Sequence, residues 1–194
     1  MKTAESVVAQ MLATRSVYTK DVVAKLQSDG VGIDFTADFR ERARHVPLPV
    51  TMVNLISDEV NEQGLYTIDL ISPWPINPAN QPAPGWERES TDALINDPRS
   101  SQSKIVTTGG KSQLLYMAAD FAYTPACVSC HNALPESPKR DYELGDMMGS
   151  LVVTIPLTEE FSSARKQSVY IALGNIGVIA VLPVLLVLLW RRIA

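Results

Sequence analysis

The 194-residue sequence predicts an α+β fold with an antiparallel sheet and a long N-terminal helix, plus one C-terminal transmembrane helix. Three observations carry that expectation. Val8, Met11, Tyr18, Val22 and Leu26 recur at helical spacing near the N-terminus. Two β-rich runs flank Gly109-Gly110, a hairpin signal. The 22 residues from Val169 to Trp190 contain no charged side chain. At 1.5 Å per residue that run reaches about 33 Å, enough for a hydrocarbon core of about 30 Å.

Taken in order, the first helix runs from about Thr3 to Gln27 and "SDGVG" stops it. "DFTADFRERARH" predicts a second, short helix, ended by "VPLP", whose prolines bias Val46 and Leu48 to extended backbone. A further short helix follows from Val50 to Val60. "GLYTIDLIS" alternates like a strand. "SPWPINPANQPAPG" is too rich in proline for regular structure and predicts a stiff loop with polyproline character. "WERESTDALIND" reads as a helix that Pro98 ends, and "MGSLVVTIPL" as the last strand. Sensor domains of the PAS-like kind order their elements in this way. "GGKS" in the hairpin is not a phosphate-binding loop, because the glycine that motif needs is Ile105.

Net charge is −4 with acids and bases interleaved, which argues against a nucleic-acid partner. The chain holds two cysteines and two histidines, and three of those four side chains fall within "CVSCH": Cys127, Cys130 and His131. C-x-x-C-H is the spacing that covalent haem attachment needs. Two thiols add to the two vinyl groups on one porphyrin edge, and the next residue offers an imidazole nitrogen to the iron. The alternatives are weaker. A disulfide here would close a tiny loop and stabilise little. A redox dithiol favours a βαβ context that is not visible. Zinc wants four ligands, and adjacent Cys130 and His131 cannot easily share one metal. One haem c per chain is therefore the expected cofactor, with Cys127 and Cys130 as thioethers and His131 as the proximal axial ligand.

Haem is attached to such motifs outside the cytoplasm, so the motif also orients the chain. Charge alone does not, since Arg165 and Lys166 before the span balance Arg191 and Arg192 after it. The expected organisation is an extracytoplasmic haem domain over 1–160, a juxtamembrane linker over 161–168, a transmembrane helix over 169–190 and a short cytoplasmic tail over 191–194. "MKTAESVVAQMLATRSVYTKDVV" has no continuous apolar core, so an export signal or upstream helix is expected beyond it. The membrane is then an inner or photosynthetic membrane crossed once, with the haem domain in the periplasm or lumen.

"RSVYTKDVVAKL", "VPLPVTMVNLIS", "LISPWPINPANQP" followed by "WERES", then "CVSCHN" and "GDMMGSLVVTIPL", resemble the periplasmic c-type haem family with a PAS-like fold. That family occurs as the sensor region of bacterial histidine kinases and chemoreceptors, and as free-standing haem proteins. The resemblance spans roughly Arg15 to Leu157. It implies that the "SPWPINP" loop packs beside the haem and that the first helix continues from an upstream membrane span. No kinase or methyl-accepting region follows the haem domain within this sequence.

For the second axial position His45, the other histidine, is the leading candidate; Met52, Met117, Met147, Met148 or an open site are the alternatives. Trp74 and Trp86 are candidates to pack on the porphyrin. Arg42, Arg44, Arg88 and Lys111 are candidates for the propionates. The expected function is single-electron transfer by a membrane-anchored monohaem cytochrome. Its partners are membrane lipid and other membrane subunits or a periplasmic redox protein, toward which an acidic surface would steer a basic surface. The alternative is a redox or diatomic-gas sensor signalling through its membrane helix. No enzymatic role is expected, because a catalytic haem needs distal acid–base groups that the sequence does not supply.

Overall fold

The computed structural model describes residues 1–157. The expected linker, membrane helix and tail (161–194) lie outside the described residues. Among the described residues no helix is long and apolar enough to cross a membrane. Met1–Pro156 form one compact unit.

The chain opens with α1 (Lys2–Val17), a π turn (Tyr18–Val23) and α2 (Ala24–Ser28), continuous in one rod. The expected apolar face holds through Val8 and Met11, which are buried, and then moves by one residue: Val23 is buried while Val22 is exposed. A π turn takes one more residue than an α turn, so every downstream side chain rotates back around the axis. An uninterrupted 3.6-residue period could not show this.

The expected second helix is not formed. Instead β1 (Asp34–Thr36), a 3₁₀ turn (Phe39–Glu41) and β2 (His45–Pro47) make a small two-stranded parallel ribbon with Asp34 opposite His45. Arg44 enters β2 at φ 64°, a left-handed conformation uncommon for a non-glycine residue. That reversal breaks the helical pattern of "RERARH". The helix α3 (Pro49–Glu62) starts on a proline at its first position, where no N–H is missed.

The strands β3 (Thr67–Ile71), β4 (Ser101–Thr108), β5 (Lys111–Phe121) and β6 (Met147–Pro156) form one fully antiparallel sheet in the order β3-β6-β5-β4. The β4–β5 hairpin turns at Gly109 and Gly110, both at positive φ, as the Gly-Gly pair predicts. The last strand in sequence is central in space, which is why "MMGSLVV" is buried along its whole length. The helix α4 (Trp86–Asn96) covers one sheet face through Leu94, which joins Met117, Ala119 and Val152 in a core cluster. The alternate residues of β5 point the other way. On that side α1 packs against β5 and β6, and its Arg15 meets Asp120. A bulge at Asp120/Phe121 ends the regular ladder and turns the chain toward the cysteine segment.

Candidate functional site

The cysteine segment forms α5 (Pro125–Ala133). Thr124 caps it: its side-chain oxygen accepts a hydrogen bond from the Cys127 N–H at 3.3 Å, and Pro125 occupies the first turn. Helical spacing puts Cys127, Cys130 and His131 on one face, since residues three and four apart are neighbours on a helix. Both cysteines are free thiols. The Cys127 sulfur lies 3.2 Å from the Thr124 hydroxyl. Cys130 is exposed as a residue; the partial burial of its thiol, then the neighbouring Cys127, push that thiol above its ordinary range.

His131 is half-buried, and its ring meets Tyr142 edge-to-face, with centroids 5.8 Å apart and planes at 86°. Burial first, and the positive charge of Arg15 second, hold the imidazole below its ordinary range. It is therefore neutral at physiological pH, the form that ligates iron. Tyr142 is buried and also meets Trp74 edge-on at 6.3 Å. Its phenol is pushed up to about 12 by burial, with Asp141 and Asp146 adding to the effect. Trp74, Cys127 and Val128 pack on a cluster of Ala122, Tyr142 and Met148. Trp74, a sequence candidate for packing on the porphyrin, thus shares a cluster with Cys127 and Val128 of α5. Trp86 packs instead against the core beneath α4.

The remaining candidates scatter. His45 lies in the parallel ribbon, with Nδ1 2.8 Å from the Ala43 carbonyl and Nε2 3.8 Å from Asp34. The segment that holds it borders the π turn, because the Tyr18 hydroxyl donates to the Pro47 carbonyl at 2.7 Å. The helix α5 packs on the same turn. Met117 is fully buried in the core, with Met147 and Met148 also buried; Met52 lines a separate cavity of about 530 Å³ along α3. Arg42 pairs with Asp38, Arg44 donates to the Val31 carbonyl, and Arg88 donates to the Pro82 carbonyl. Lys111 sits at the hairpin, in the first position of β5.

The cations beside α5 are ones that the sequence did not single out. Lys139 lies over the rings of Tyr142 and Trp74 at 4.9 and 5.7 Å. The Arg140 guanidinium donates to the Asn132 carbonyl at 3.1 Å. Arg15 bonds Asp120 and reaches the Phe121 carbonyl at 3.5 Å. Trp74, Lys139, Met147, Ile95, Pro98 and Asp146 line a cavity of about 230 Å³ next to this cluster.

The crystal structure of the cyanobacterial heme-protein Tll0287 is 17% identical, with a TM-score of 0.48, over 80% of this chain and 93% of that one. None of the curated proteins matches. The Tll0287-like family matches residues 1–156, nearly the whole described unit, and the chain belongs to that family.

Proposed function

We propose that this chain is a monohaem c-type protein that exchanges single electrons on the extracytoplasmic side of a membrane. The observation that carries the reading is the common helical face of Cys127, Cys130 and His131, two free thiols and one neutral imidazole. The family takes its name from Tll0287, described as a heme-protein, which supports haem as the group held. Cys127 and Cys130 are the covalent anchors and His131 the axial ligand, with Trp74 packing at the site. Bound haem supplies one-electron exchange at iron; the chain fixes its position and its surroundings.

His45 is the proposed second ligand. Its Nδ1 proton is engaged by the Ala43 carbonyl, the tautomer that leaves the Nε2 lone pair for the iron once Nε2 turns from Asp34, 3.8 Å away. The strained backbone at Arg44, next to it, is the kind of feature that clusters at functional sites. The 169–190 segment would anchor the domain in an inner or photosynthetic membrane, beside other subunits or a redox partner. A PAS-like relationship of the fold belongs to the same proposal.

A second reading, haem-based sensing, rests on one observation. The π turn interrupts the long N-terminal helix where α5 packs on it, so a change at the haem would reach that helix directly. Optical spectra of the oxidised and reduced protein, with and without carbon monoxide, separate the readings. Indifference to carbon monoxide in the wild type, and binding in His45→Ala, support electron transfer with two histidine ligands. Ready binding by the wild type removes His45 from the account and favours gas sensing.

A further inference from the structure

The residue after the axial histidine makes an unusual contact. Asn132 donates through Nδ2 to the Tyr142 carbonyl at 2.9 Å and accepts through Oδ1 from the Tyr142 N–H at 2.9 Å. This is the reciprocal pair that two strand residues exchange, made here by one side chain. Further ties hold the returning segment. Arg140 donates to the Asn132 carbonyl, the Ser137 hydroxyl donates to the Lys139 carbonyl at 2.6 Å, and Lys139 lies over the Tyr142 ring. The Tyr142 main chain is thereby pinned to α5. Tyr142 is 3% exposed, and its ring meets those of Trp74 and His131 edge-to-face, with planes at 78° and 86°.

We infer that Asn132 and Tyr142 are positioning residues for the axial imidazole: Asn132 fixes Tyr142, and the Tyr142 ring fixes the plane of His131. An iron-ligating histidine is ordinarily oriented by a carboxylate or carbonyl on its second ring nitrogen. Here the ring contact of His131 is with an aromatic edge, and edge-to-face pairs have a preferred geometry that resists rotation. The ring, not the phenol oxygen, carries this role. The inference rests on the reading of His131 as a ligand.

The test compares haem-loaded wild type with Asn132→Ala, Tyr142→Leu and Tyr142→Phe, using the proton NMR shifts of the haem methyl groups in the ferric state, which follow the imidazole plane. Tyr142→Phe keeps the wild-type pattern. Tyr142→Leu and Asn132→Ala keep covalent haem but change the spread of methyl shifts or split them into several sets. A role in stability alone would lower the melting temperature and leave the pattern unchanged, and that result in Tyr142→Leu overturns the inference. Should Asn132→Ala fail to fold, Tyr142→Leu against Tyr142→Phe decides. Wild type without covalent haem overturns the ligand reading itself, a different failure from an unchanged methyl pattern.

Discussion

Arg15 and Asp120, 105 residues apart, form an ion pair that ties the end of α1 to the bulged end of β5, immediately before the cysteine helix. Asp120 is 1% exposed, so its charge is tolerated only with that partner. The pair therefore sets where α1 meets the sheet and delivers a positive charge to the neighbourhood of His131.

Arg15→Ala leaves a buried carboxylate without its counter-charge and should lower folding stability by about 3–5 kcal/mol. Denaturant unfolding of the full chain, wild type against Arg15→Ala, checks this. A loss below about 1 kcal/mol would make the pair no more than a surface contact.

Asp120 also gives a pH dependence with a definite sign. Burial raises its carboxyl above the ordinary 3.8, against the lowering effect of Arg15. Between 3.8 and the raised value the folded chain holds more protons than the unfolded one, so this contribution is present at low pH and lost as pH rises through that window. The melting temperature of wild type relative to Asp120→Asn should accordingly fall as pH rises from acid toward neutral. A difference that stays flat or rises would contradict the assignment.

Gly149 lies in β6 opposite Asp120, and a Cβ there would sit 2.5 Å from the Ile71 carbonyl oxygen. Backbone cannot give way as a flexible side chain can. Gly149→Ala should destabilise by about 1–3 kcal/mol through a local parting of β3 and β6, read as a lower melting temperature with faster amide exchange in β3.

Ser150, one residue on, is fully buried, and among the described residues its hydroxyl has no hydrogen-bond partner. An unpaired buried hydroxyl costs free energy that an apolar side chain does not. Ser150→Ala should be at least as stable as wild type. A clear loss in thermal unfolding would mean that the hydroxyl is satisfied after all, most simply by an internal water.

Much of the fold is legible in the sequence where the signal is local. Gly109-Gly110 predicts the hairpin, Pro98 bounds α4, and "TIDLI" alternates as β3 does. The ribbon at 34–47 is not legible, because each strand has three residues and their parallel pairing joins Asp34 to His45 across a turn. The π turn hides for another reason: it moves burial from Val22 to Val23 without any composition cue. At the site, the spacing of Cys127, Cys130 and His131 is plain, and "TP" before them is a helix-start signal that would have predicted α5. Arg15, Lys139 and Tyr142 escape notice, since what matters about each is a contact across tens of residues or a return of the chain.

The most direct test of the central claim is whether haem stays with the unfolded chain. Wild type and a Cys127→Ala/Cys130→Ala double variant, produced in a host able to attach haem c, are denatured and measured by intact mass and by the alkaline pyridine haemochrome spectrum. The account predicts one haem retained per wild-type chain, with the spectrum of saturated thioether links, and none retained by the double variant. A wild-type chain that releases its haem on denaturation, or never carries any, would contradict it.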